Sequence, residues 1–168
     1  MGKTEKRYIE LKARETGEGF TGTLLNFSDI ADKGSYRERA ESQGISLKDR
    51  LMLNYMHERS QPIARVGTEF LQIERSDKSI DVVLNKWPET NVARESKAQW
   101  EAGNLTGLSM EIVVDEASWD GDNLRTIKSG QIVGMAMVDE PAYPMSEINR
   151  AWDGYEQETP PLDPKVWL

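Results

Sequence analysis

The chain has no cysteine. That one absence removes disulfides, thiolate metal sites and cysteine nucleophiles together. It has a single histidine, His57, so a centre built from several imidazoles is excluded, and any serine–histidine chemistry must run through that ring. No stretch approaches the roughly 18 consecutive apolar residues of a membrane span. The first residues, Met1-Gly2-Lys3-Thr4-Glu5-Lys6, lead into no apolar segment of the signal-peptide kind. The reading is a chain made and used inside a cell, with no membrane partner. Basic residues are outnumbered, 21 Lys and Arg against 29 Asp and Glu, for a net charge of −8. That is the wrong sign for a nucleic-acid surface. Gly17-Glu18-Gly19 is too short to cradle a phosphate and reads as a turn. Asp115, Glu116, Asp120 and Asp122 lack the spacing and closing glutamate of a calcium loop, and read as a solvated hairpin tip. No cofactor and no metal is expected.

What is present suits one folded domain with a tail. The chain has 168 residues, 38% of them hydrophobic and 30% charged, enough to bury a core. Period-2 alternation and turn residues predict strands over residues 7–14, 20–27, 50–57, 63–66, 69–74, 80–84, 108–114, 124–128 and 132–138. Turns are expected at Asp120-Gly121-Asp122-Asn123 and at Ser129-Gly130. Residues 36–43 read as two turns of exposed helix. The firmest helix is predicted over 91–102, with Thr90 or Asn91 as cap and Gly103 as stop. Pro160, Pro161 and Pro164 forbid regular structure near the end, so residues 1–150 are read as the domain and 151–168 as an extended acidic, proline-rich tail. Many short strands and one firm helix imply a mostly antiparallel α+β fold: a small β-barrel or sandwich with helices outside it.

The chemistry-bearing stretch is Asn104 to Val114. Alternation places Leu108, Met110, Ile112 and Val114 on one face of a strand, and Ser109, Glu111 and Val113 on the other. Ser109 therefore starts a strand just after Gly107, its hydroxyl turned from the most apolar face. A nucleophilic serine needs an imidazole within reach, a third group holding that imidazole, and donors for the oxyanion. His57 is the only imidazole available, and it too is placed at a strand end. Two other readings stay open on the residues alone. One is a carboxylate pair for glycoside hydrolysis, for which no pair stands out. The other is a ligand groove lined by Trp87, Trp100 and Trp119.

The order of motifs resembles the prohead (capsid-maturation) serine proteases of tailed bacteriophages, relatives of the herpesvirus assembly proteases. Over about residues 18–150 the chain carries, in order, an opening strand Phe20 to Phe27 followed by Asp29-Ile-Ala-Asp32 and Tyr36-Arg-Glu-Arg39. A histidine motif follows, His57-Glu-Arg-Ser-Gln-Pro-Ile-Ala-Arg-Val-Gly67. Then come the nucleophile motif Gly107-Leu-Ser109 before an apolar strand, and the closing Pro141-Ala-Tyr-Pro144. The resemblance implies Ser109 as nucleophile and His57 as general base and acid. It implies a closed or partly closed, herpesvirus-protease-like β-barrel with a few surrounding helices. It also implies cleavage of the major capsid protein or scaffold protein, and of the protease itself, inside the assembling procapsid in the host cytoplasm. Self-association is implied too. An inactive, scaffold-like assembly protein on the same fold is the alternative. Many relatives carry Glu-x-Ser in the strand before Pro-Ala, where this chain has Gly134 and Ala136. The third catalytic group is therefore sought just downstream, at Asp139 first and Glu140 second.

Overall fold

The computed structural model of the chain describes residues 3–139 apart from 33 and 122. The Pro141–Pro144 motif, Glu140 and the 151–168 tail lie outside the described residues. Among the described residues twelve strands alternate with one α-helix and a 3₁₀ turn: β1 (Lys3–Glu10), β2 (Lys12–Ala13), β3 (Phe20–Asn26), β4 (Ala31–Asp32), β5 (Arg37–Ala40), the 3₁₀ turn Ser42–Gly44, β6 (Ile45–Leu47), β7 (Met52–Tyr55), β8 (Glu58–Arg65), β9 (Leu71–Arg75), β10 (Ser79–Leu84), α1 (Asn91–Glu101), β11 (Gly107–Trp119) and β12 (Leu124–Val138).

The strands form an eight-stranded and a four-stranded sheet. The large sheet is built on β12. Its one edge pairs antiparallel with β11, which pairs in turn with β1. Its other edge takes β5, β6 and β7 in succession, all parallel to it. The small sheet runs β2-β3-β10-β9. Alternation makes the core between them. Leu108, Met110 and Ile112 are fully buried on β11, and they share one apolar cluster with Phe20, Leu24, Leu71, Ile80, Val82 and Leu84 from the small sheet. Each such side chain taken from water contributes on the order of 1.5–3 kcal/mol.

Four charges are buried with that core. Arg7 on β1 meets Glu38 on β5 at 3.1 Å and Glu5 at 2.9 Å, and Arg125 on β12 meets Glu5 at 2.6 Å and Glu38 at 3.2 Å. In a flat sheet β1 and β5 would stand about 14 Å apart, three strand spacings. The Arg7–Glu38 contact therefore marks a sheet that curls toward its core face. The curl is a half-barrel: β1 and β4 end the strand order, with no backbone ladder joining them. The expected mostly-β class stands, while closure of the barrel is not seen. Among the described residues α1 and the 3₁₀ turn are the only helical elements.

Three local expectations change. Residues 37–40 form strand β5, not helix, because alternation turns Glu38 and Ala40 inward and Glu38 is neutralised by two arginines. Residues 124–138 are one strand rather than two, since the β11–β12 ladder absorbs the Ser129-Gly130 signal in register shifts beside Val114 and Glu116. Glu58 to Pro62 is strand too, with Pro62 at an irregular point of the β7–β8 ladder. The helix matches its prediction: Thr90 Oγ1 accepts from Ala93 N at 3.2 Å, and Gly103 follows with φ 83°.

Candidate active site

The register of four strands assembles the site. Tyr8 on β1, Ser109 on β11, Ala136 on β12 and Asn54 on β7 are successive cross-strand partners. They form one row on the face of the large sheet away from the core. Two residues along the same face, Lys6, Glu111 and Gly134 form the next row. A register shift between Glu111 and Ile112 follows at once, and such bulges re-aim side chains.

His57 reaches this face from a tight turn. Tyr55 pairs with Glu58, leaving Met56 and His57 as a two-residue loop with φ of 52° and 62°. Both central positions of a type I′ hairpin demand positive φ, which Asn and Gly supply most easily. A left-handed residue with a Cβ costs roughly 1–2 kcal/mol, so two in succession mark a turn held by its surroundings. The holder is β12: Met56 N donates to Met137 O at 2.9 Å. The hairpin tip thus sits level with Met137.

From there the imidazole turns toward Glu111. His57 Nδ1 lies 3.4 Å from Glu111 Oε1. Glu111 is level with Gly134, the tip is level with Met137, and Ser109 is level with Ala136 between them. The level of the serine therefore lies between that of the hairpin tip and that of the carboxylate His57 faces. The nucleophile candidate and the histidine are brought to one face.

The polar accounting is unusual. Ser109 is fully buried. Its Oγ, His57 Nε2 and Asn54 Oδ1 are buried without a hydrogen-bond partner among the described residues. An orphaned buried polar group costs about 1–3 kcal/mol, and a catalytic role is one reason for a native structure to carry it. Glu111 titrates below the usual carboxylate range. The hydrogen bond from His57 lowers it most, burial opposes this, and the charges of His57, Lys6 and Arg59 lower it further.

Asp139 stands exposed just past the end of β12, and His57 Nδ1 faces Glu111 instead. Sequence reasoning passed over Glu111, although a signal existed: by alternation it shares the face of Ser109. The three tryptophans do not meet in one groove. Trp87 and Trp100 pack on Phe20 with ring centroids at 5.8 and 5.6 Å, while Trp119 packs on Tyr36 at 5.1 Å. No group of metal-ligating side chains occurs among the described residues.

A family model described as caudovirus prohead serine protease matches residues 2–158. No curated protein and no solved structure matches. The match spans the His57 hairpin, the Ser109 strand and the whole of both sheets, and by that span the chain belongs to the caudovirus prohead serine proteases.

Proposed function

We propose that this serine protease uses Ser109 as its nucleophile and His57 as its general base, and that it cleaves the capsid or scaffold proteins of an immature phage shell. The observation that carries the reading is the contact of His57 Nδ1 with Glu111 at 3.4 Å, which holds the imidazole at the face of the large sheet that carries Ser109. In the acylation step Nε2 takes the proton of Oγ as the Oγ–carbon bond forms, and the carbonyl electron pair moves to oxygen. Collapse of that oxyanion breaks the carbon–nitrogen bond, and the amine leaves with the proton held on Nε2. Water then repeats the sequence, releasing a carboxylic acid and restoring the serine. The orphaned Oγ and Nε2 suit this role, because each is kept free of competing partners. In free enzymes such catalytic hydrogen bonds are often long and tighten only when substrate is bound.

On this reading the activity runs within the assembling procapsid in the host cytoplasm, and the chain itself is a further substrate. The test is incubation of wild-type and Ser109→Ala chains with the cognate capsid and scaffold proteins, followed by intact-mass analysis. Discrete fragments from wild type alone are expected. Equal cleavage by Ser109→Ala would remove the assignment. A stable complex without cleavage by either chain would turn the reading to an assembly factor.

A further inference from the structure

Gly134 and Glu111 face each other on adjacent strands, and the space one lacks is filled by the other. A Cβ placed on Gly134 would fall 2.8 Å from Glu111 Oε1 and 3.5 Å from its Cδ. Real Cβ atoms do not approach so closely, so any side chain at 134 must displace the carboxylate. The oxygen in that space is the one His57 Nδ1 faces at 3.4 Å. It has turned over β12, whereas Lys6, the cross-strand partner of Glu111, stands on β1 at the opposite side of β11. A carboxylate serving only a surface pair with Lys6 would have no reason to lean the other way. The Glu111 side chain is 29% exposed and that of His57 25%, so their contact is partly shielded from water.

We infer that Glu111 is the positioning residue for His57, and that Gly134 is the space that lets it act from β11. This rests on the Ser109–His57 reading above. By accepting from Nδ1–H the carboxylate fixes the tautomer with Nε2 free for Ser109, and its charge stabilises the imidazolium formed during attack. Glu111 itself takes no proton. The acid is thus supplied by the strand of the nucleophile, two residues from it, rather than from the neighbouring strand or from beyond it. The two positions are reciprocal: a carboxylate on either side of the β11–β12 pair can reach the same ring, but the facing residue must then be small.

The experiment compares wild type with Glu111→Gln, Gly134→Ala, Asp139→Asn, Glu111→Ala and the double exchange Glu111→Ala with Gly134→Glu. The readouts are the rate of Ser109 acylation by a fluorophosphonate, kcat and KM for the cleaved capsid or scaffold protein, and the melting temperature. Glu111→Gln is expected to slow acylation and kcat by about 10²–10⁴-fold, with KM and melting temperature little changed. Gly134→Ala keeps every ionisable group, yet is expected to slow acylation by about tenfold or more because the carboxylate is displaced. The double exchange is expected to recover at least tenfold over Glu111→Ala, which a merely structural Glu111 would not allow. Wild-type rates in both Glu111→Gln and Gly134→Ala, with Ser109 still labelled, would overturn the inference and leave the nucleophile standing. A loss confined to Asp139→Asn would move the acid to that residue. A wild-type chain that is folded but gains no adduct on Ser109 would remove the reading beneath it.

Discussion

Two polar clusters sit on opposite faces of the same strands. On the core face Glu5, Arg7, Glu38 and Arg125 form a ring of buried charges in which each carboxylate meets both arginines. On the other face His57 meets Glu111 through one nitrogen, while Nε2 and the hydroxyl of Ser109 stay unpartnered among the described residues. The first cluster is complete within itself, and it ties β1 and β5 to β12 around the curl. The second is incomplete, as the proposed catalytic pair requires before substrate binds. Burial alone does not separate them, since Ser109 is as inaccessible as Glu5. What separates the two clusters is whether their own donors and acceptors balance.

That contrast is broken most severely at Ser109. Ser109→Ala is expected to lower turnover by about 10⁴-fold or more. It should leave the protein no less stable, and more stable by up to about 1 kcal/mol, because an orphaned buried hydroxyl is removed. Cleavage assays and urea midpoints on the same preparation check both halves. A large loss of stability in this variant would mean that the hydroxyl is structural after all.

Glu38→Ala should do the reverse. Removing one member leaves two buried guanidinium groups underneutralised, and breaking a buried pair in this way costs about 3–5 kcal/mol. The urea midpoint should fall accordingly, while activity per folded molecule stays within about twofold, as expected of a variant that touches only stability. An unchanged midpoint would show that the ring contributes little.

A smaller effect comes from acid. Burial would raise the Glu5 carboxyl, but the hydrogen bond from Arg125 and the charges of Arg7 and Arg125 outweigh it and hold Glu5 below its ordinary value of 4.5. The unfolded chain therefore binds the proton first as pH falls. Stability from this group is complete above about pH 4.5 and declines as pH drops toward the depressed folded value. Thermal unfolding followed from about pH 6 to about pH 3 should show that decline, and Glu5→Gln should flatten it. Persistence of the same slope in Glu5→Gln would assign it to other carboxylates.

The smallest change is expected at the turn that delivers the histidine. Met56 adopts a left-handed conformation that asparagine tolerates better, and its side chain is 37% exposed. Met56→Asn should keep the bond to Met137 O and stabilise by less than about 1 kcal/mol, with kcat unaltered. A drop in kcat would show that the methionine side chain helps place His57.

Much of this was readable along the chain, because it depends on neighbours. The period-2 faces of β11 put Met110 inward and Ser109 outward whatever the rest of the fold does. Thr90 and Gly103 delimit α1 through bonds within a few residues. The lone histidine and the serine strand stood out by type and order, and the family they imply is the family that matches. Other features depend on residues far apart. Strand β5 looked helical because the partners that make Glu38 an interior residue, Arg7 and Arg125, lie 31 and 87 positions away. The curl of the sheet follows from the same long-range charges. Glu111 was plainly on the serine's face, yet its partner is set by how β7 and β11 flank β12, and by a glycine that makes room only when the strands are in register. Sequence alone determined which side chains share a face. The tertiary structure decided which faces meet, because pairing register and side-chain space between distant strands are properties of the assembled sheet.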